Sequence, residues 1–182
     1  MLVIAHRGAS GNAPENTMAA FKKAVALGAN FIETDLQLSR DARLVAIHDA
    51  TVNRTTNGQG TVHDMTLTEL RRLDAGSWFG SEFAGERIPT LEEILEFSKK
   101  NDVVFYLEKA VAIGARQLAV RGDLVTPALI AEARRKDLQV VCWTVNHPAH
   151  MRLLAAAGVD GIMSDYPDRL VAAVRKEAES IP

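Results

Sequence analysis

The sequence has a single cysteine, Cys142, so no intrachain disulfide can staple it, and a reducing compartment suits it. Long hydrophobic runs are also missing. Stretches such as Val103 to Leu107 fall far short of the roughly 18 apolar residues that cross a bilayer, which excludes a spanning helix. An excess of either charge is lacking too: 21 Lys plus Arg stand against 23 Asp plus Glu, for a net charge of −2. That balance leaves no basic field of the kind DNA or RNA binding requires. The chain enters Leu2-Val3-Ile4-Ala5 with no basic start or cleavage site, so the cytoplasm is the expected address. What is present is ordinary. With 47% hydrophobic and 24% charged residues, disordered, collagen-like and disulfide-scaffold classes are excluded, and 182 residues suit one domain spanning 1–182.

Short apolar runs alternate with stretches of helical period, the pattern of strand and helix units around a parallel sheet. The class is therefore α/β. Strands are expected at Leu2 to His6, Phe31 to Leu38, Leu44 to His48, Val103 to Glu108, Gln117 to Val120, Gln139 to Val145 and Gly161 to Ser164. A helix is predicted over Asn16 to Leu27, with Phe21, Ala24 and Val25 on one face and Gly28 as its stop. Thr90 and Glu93 form a capping box ahead of Leu91 to Lys100, and Thr126-Pro127 and Asn146 to Pro148 supply further helix starts. Asn53 to Gly85, rich in Thr, Gly and Asp, breaks the rhythm. It reads as an insertion beside the active face, with one short helix at Leu67 to Leu73. The last residues, Arg175 to Pro182, read as a frayed helix end.

Residues two apart on a strand share a face, so Glu33 and Asp35 point the same way. Two carboxylates on an otherwise apolar strand are costly without a positive partner. Hard oxygen donors at this spacing suit Mg²⁺ or Ca²⁺, with Glu108 at the end of another strand as a third ligand; pairing with Arg or Lys is the alternative. His6 and His48 both fall at the C-terminal ends of strand candidates, the edge at which parallel α/β sheets bind ligands. Two imidazoles there can act as acid and base about one reacting bond. Arg7 offers a charged fork for a phosphate, and Gly8 allows close backbone approach. His63, His147 and His150 read as surface residues. Trp143 reads as packing that can also line a pocket, and Cys142 as a small buried apolar group rather than a nucleophile.

The ordered set Ala5-His6-Arg7-Gly8, Pro14-Glu15-Asn16-Thr17, Glu33-Thr34-Asp35, His48-Asp49, Trp143-Thr144-Val145-Asn146 and Gly158-Val159-Asp160-Gly161 resembles the bacterial glycerophosphodiester phosphodiesterases, from residue 2 to about residue 170. The resemblance implies a TIM-type (β/α)8 barrel with a small insertion after strand 3, and hydrolysis of glycerophosphodiesters to glycerol 3-phosphate and an alcohol. It implies a divalent metal, Mg²⁺ or Ca²⁺, on Glu33, Asp35 and Glu108. His6 and His48 would be acid and base, with Arg7 on the phosphate and Glu15, Lys109 and Trp143 lining the substrate pocket. In the family chemistry the substrate's adjacent hydroxyl attacks first and water then opens a cyclic phosphate. Related activities on lysophospholipids or phosphoinositides are the runner-up, and a noncatalytic binding module the alternative from another class. The expected partner is a small-molecule substrate, with no stable membrane insertion, for a monomer or homodimer.

One departure stands out. Seven strands are identifiable where a full barrel has eight, in a chain shorter than the roughly 250 residues such barrels use. Leu107-Glu108-Lys109 runs straight into Ala110-Val111-Ala112, where the family has Glu, Ile, Lys and further units. One or two β/α units are therefore expected to be absent near 108–110, by deletion or by omission from the sequence.

Overall fold

The computed structural model describes residues 2–108, 117–135 and 139–178. Its strands are β1 (Leu2–His6), β2 (Phe31–Leu38), β3 (Leu44–Ala46), β4 (Val104–Glu108), β5 (Gln117–Arg121), β6 (Gln139–Trp143) and β7 (Gly161–Ser164). The helices are α1 (Met18–Ala26), α2 (Leu67–Leu70), α3 (Leu91–Asn101), α4 (Pro127–Arg135), α5 (Pro148–Ala156) and α6 (Pro167–Ala178). Among the described residues no helix is long and apolar enough to cross a membrane.

Six strands run parallel in the order β4-β2-β1-β7-β6-β5, so all their C-terminal ends meet at one edge. Strands buried on both faces read as continuous apolar runs, which is why Val3, Ile4 and Ala5 are all buried. The sheet is consistent with an incomplete α/β barrel: among the described residues β4 and β5 are the ends of the parallel sheet, and no pairing joins them. The 109–110 side of the junction expected near 108–110 lies outside the described residues.

One correction concerns β3. It runs antiparallel to β2 with Leu36 opposite Ala46 and Leu38 opposite Leu44, and it stops before His48. Five residues separate Leu38 from Leu44, whereas a parallel crossover needs a dozen or more. A hairpin is the only connection of that length. Ala42 takes a left-handed φ of 58° within it, and Ser39 N–H donates to Arg43 O at 2.9 Å. The C-terminal half of β2 overshoots its parallel neighbours, and β3 folds back along that overhang.

The helices begin where their caps dictate. Thr17 accepts the Ala20 N–H to start α1, and Gly28, at φ 86°, follows its end. Thr90 and Glu93 close the expected capping box of α3, and Pro148 opens α5. The main core lies between the sheet and its helices, with Phe21 of α1 fully buried against Phe97 of α3 and Phe105 of β4, ring centroids 6.5 and 5.1 Å apart. The segment between β3 and α3 has its own small core of Val45, Ile47, Val52, Val62, Leu70, Ala75 and Ile88. Arg71 pins it to α3 through both carboxylate oxygens of Glu93, at 2.9 and 2.8 Å. Phe21→Ala should cost about 3–5 kcal/mol, because an aromatic ring is removed from a fully packed site. Urea unfolding followed by circular dichroism checks this; a loss below about 1 kcal/mol would show that the helix–sheet layer repacks freely.

Candidate active site

Glu33 and Asp35 are both 2% exposed and lie on one face of β2, as alternation requires. The Cα of Glu108 pairs in register with that of Asp35, so the third acid sits on the adjacent strand at the same level. Asn16 prepares Asp35: its Nδ2 donates to Asp35 Oδ2 at 3.1 Å, while its Oδ1 accepts from Thr34 Oγ1 at 2.7 Å. Asn16 is itself buried and holds a left-handed φ of 55°. A polar side chain in such a conformation, bonded to a buried acid, is strain kept for the site.

Arg7 also has a φ of 55° and is followed by Gly8 at 81°. This turn aims the Arg7 N–H at Glu33 Oε2, 3.0 Å away. The guanidinium donates from Nη1 to Glu15 Oε1 at 2.9 Å and brings Nε to 3.2 Å from Asp35 Oδ2. That second contact is ionic, since buried Nε has no aligned acceptor among the described residues. Gly8 cannot be replaced cheaply: a Cβ there would lie 2.7 Å from that of Ala20, at a φ that L residues avoid.

Each imidazole is held by an aspartate. His6 Nδ1 lies 2.7 Å from Asp165 Oδ1, and its Nε2 is 3.9 Å from Glu33 Oε2. His48 Nδ1 lies 2.7 Å from Asp49 Oδ1. Arg54 then joins the two halves, with Nη1 and Nη2 on Glu15 at 2.8 and 2.9 Å and Nε on Asp49 Oδ2 at 2.8 Å. Continuous contacts therefore run from Asp165 through His6, Glu33, Arg7, Glu15, Arg54 and Asp49 to His48. A small pocket lined by Glu15, Asn16, His48 and Thr55 lies on the His48 side.

Burial alone would raise Glu15, yet the hydrogen bond from Arg54 and the charges of Arg7 and Arg54 hold it below the usual carboxylate range. Asp49 lies far lower, through hydrogen bonds from Arg54 and then His48. Arg54 is raised in return, first by Glu15 and then by Asp49. For Asp165 burial again opposes, and the hydrogen bonds with His6 and Asn146 prevail to lower it.

The sequence-named residues His6, Arg7, Glu15, Glu33, Asp35 and His48 thus come together. Glu108 joins them by register; Lys109 lies outside the described residues. Trp143 ends β6 at the same sheet edge and is 43% exposed, so of its two readings, packing and pocket wall, the exposure favours the second and leaves its ring available to a ligand. Cys142 is buried, and burial pushes its thiol up to about 11, as expected of an inert group. Among the described residues no group of three or more His, Cys, Asp or Glu side chains is placed to hold a metal ion. Residues not singled out from sequence are Asn16, Asp49, Arg54, Asn146 and Asp165. Asp49 and Asp165 follow residues at strand or hairpin ends and were findable by that rule; Arg54 acts across 39 residues and leaves no periodic signal.

The folded values of Glu15 and Asp49 lie below their unfolded ones, so their stabilisation is full above the ordinary carboxylate range and is lost as pH falls through the folded values. Arg54→Gln should therefore raise the pH of acid unfolding. The loss at neutral pH should be on the order of 1 kcal/mol, because Arg54 is 44% exposed and solvent screens it. Circular dichroism during acid titration checks this, and coincident curves for parent and variant would remove the clamp.

The profile of the Glycerophosphoryl diester phosphodiesterase family matches residues 6–112 and 102–169. A glycerophosphodiester phosphodiesterase of Caldanaerobacter subterraneus subsp. tengcongensis is 37% identical over 238 aligned residues, covering 96% of this chain and 98% of that protein. One from Bacillus altitudinis is 33% identical, covering 93% and 96%. Among solved structures, an Oleispira antarctica phosphodiesterase in complex with the product sn-glycerol-3-phosphate superposes with a TM-score of 0.89 at 26% identity, covering 96% of this chain and 97% of that one. A glycerophosphodiester phosphodiesterase from Agrobacterium tumefaciens gives 0.82 at 27% identity, covering 93% and 98%. With its profile matched over most of the chain and its residues gathered at one sheet edge, this protein belongs to the glycerophosphoryl diester phosphodiesterase family.

Proposed function

We propose that the protein hydrolyses glycerophosphodiesters to glycerol 3-phosphate and an alcohol, with a divalent cation, Mg²⁺ or Ca²⁺, on Glu33, Asp35 and Glu108. The observation that carries this reading is the unbroken network linking both imidazoles, Arg7 and the buried acids of β2. The charge balance supports the cation. Glu15, Glu33, Asp35, Asp49 and Asp165 face two guanidiniums, Arg7 and Arg54, so an anionic ester would meet net negative charge unless a hard cation joined the acids. When bound, such a cation would neutralise charge on the phosphoryl oxygens.

The chain's own groups do the rest. Arg7, whose side chain keeps 19% of its surface exposed, offers its charged fork to a phosphoryl oxygen. His6 and His48, each tied at Nδ1, hold and move protons at the attacking and leaving oxygens. Glu15 keeps Arg7 and Arg54 in place, and the exposed ring of Trp143 offers an apolar wall to the glycerol end.

The product-bound Oleispira antarctica relative supports the same substrate class. Purified protein should release glycerol 3-phosphate from glycerophosphocholine only with Mg²⁺ or Ca²⁺ present, in a dehydrogenase-coupled assay. His6→Ala or His48→Ala should lower the rate by about 10² or more, and activity within a fewfold of the parent would remove the acid–base roles. Preference for lysophospholipid would favour the related activity, and binding without turnover under any divalent ion would favour a noncatalytic module.

The same proposal covers the domain. The chain 1–182 is one phosphodiesterase barrel of the (β/α)8 type, in which the stretch about 53–85 is an insertion and two units are absent after β4. An alignment of 238 positions against 182 residues leaves at least 56 positions with no counterpart here, about the length of two β/α units. The family profile matches in two pieces that overlap at 102–112, and the described residues form six parallel strands where a (β/α)8 barrel has eight. Splicing the corresponding segment of a full-length relative between Glu108 and Ala110 should raise the melting temperature. An unchanged or lower value would favour a self-sufficient open sheet.

A further inference from the structure

We infer that Asp165, oriented by Asn146, is a positioning residue that fixes His6 as the Nδ1–H tautomer and so presents Nε2 as its working nitrogen. For its kinetic readout this rests on the phosphodiesterase reading above. The inference follows from which groups can only donate. The backbone N–H of Asp165 has no other role, and it points at Asn146 Oδ1, 3.0 Å away. Ser164 Oγ donates to the same oxygen at 3.0 Å while accepting the Tyr166 N–H at 3.1 Å. That end of the Asn146 amide is therefore its oxygen. The other end must be the NH₂, and it donates to Asp165 Oδ2 at 2.7 Å.

Asp165 Oδ1 faces Ser10 Oγ at 2.9 Å and His6 Nδ1 at 2.7 Å. The Ser10 hydroxyl carries one proton and shares it with His6 O, 2.7 Å away, so it too is a donor. A carboxyl surrounded by donors stays ionised, in agreement with the lowering described above. An ionised carboxylate can only accept, so the short contact requires the proton on His6 Nδ1. In the neutral ring the lone pair then lies on Nε2, the nitrogen 3.9 Å from Glu33 Oε2. Asn146 and Asp165 thereby gain a role through His6. They sit at the ends of β6 and β7, and 159 residues separate Asp165 from the ring it orients.

The test uses the full chain labelled with ¹⁵N-histidine, with His6 assigned by loss of its signals in His6→Ala. At mildly alkaline pH the parent should show the Nδ1–H pattern. In Asp165→Asn the Asn146 NH₂ demands an oxygen opposite it, so the new amide turns its own NH₂ to His6 and drives the proton to Nε2. The spectrum should invert, and kcat should fall about 10²- to 10⁴-fold with KM within a fewfold, the loss seen when an orienting carboxylate becomes an amide in hydrolase triads. The double variant Asn146→Asp with Asp165→Asn reverses the polarity of the pair and returns an oxygen to His6. It should restore the Nδ1–H pattern and at least tenfold of the lost kcat, a rescue that a merely structural role would not give. A parent spectrum showing Nε2–H, parent-like kcat in Asp165→Asn, or a double variant no better than the single would overturn the inference. Should Asp165→Asn fail to fold, the parent spectrum alone decides. Should the parent hydrolyse no glycerophosphodiester, the proposed activity fails while the tautomer result still stands.

Discussion

Two carboxylates on one face of a buried strand are the constraint from which the site grows. Glu33 and Asp35 cannot sit in an apolar interior uncompensated, and the chain answers with positive or donating groups from several directions: the Arg7 N–H and guanidinium and the Asn16 amide. Each donor needs support of its own. Arg7 leans on Glu15, Glu15 on Arg54 and Arg54 on Asp49, which holds His48. The network is a chain of obligations that begins with the burial of two acids, and it recruits residues from nearly the whole length of the protein.

The parallel register does the gathering. Because β4, β2, β1, β7 and β6 point the same way, Glu108, Asp35, His6, Asp165 and Trp143 emerge at one edge. The sheet ends at β4 and β5 among the described residues do not touch the pairs that carry the imidazoles, since β1 is flanked on both sides and His48 follows a hairpin on β2. This half of the site is therefore assembled without any pairing between β4 and β5.

Much of this was legible in the sequence, and the limits have physical causes. Alternation along Phe31 to Leu38 reveals the paired acids, because a period of two needs only local information. The strand-end rule finds His6. Leu44 to His48 misleads because an apolar run carries no sign of direction; the five-residue spacing from Leu38 held the answer. Position inside the apolar run Val140 to Val145 suggests packing for Trp143 and only the resemblance makes it a pocket residue, because a run does not show where its strand stops; the strand ends at Trp143 and the ring is exposed. Arg54 stays silent until folded, and Asn146, though part of a matched motif, shows no role before then, since a hydrogen bond across many residues imposes no pattern on the sequence between its ends.

The left-handed turn at Arg7 has one more effect. Neighbouring side chains on an extended strand point to opposite faces, so His6 and Arg7 should serve different sides of the sheet. The reversal of φ at the strand end cancels that rule for one residue, and adjacent side chains reach the same pair of acids, His6 toward Glu33 and Arg7 toward Asp35. A β-branched side chain at position 7 would resist this geometry whatever its charge. The demand at that position is thus conformational as well as electrostatic; a lysine would meet the backbone demand as arginine does, but its compact ammonium lacks the planar fork that faces Glu15 and Asp35 with separate nitrogens.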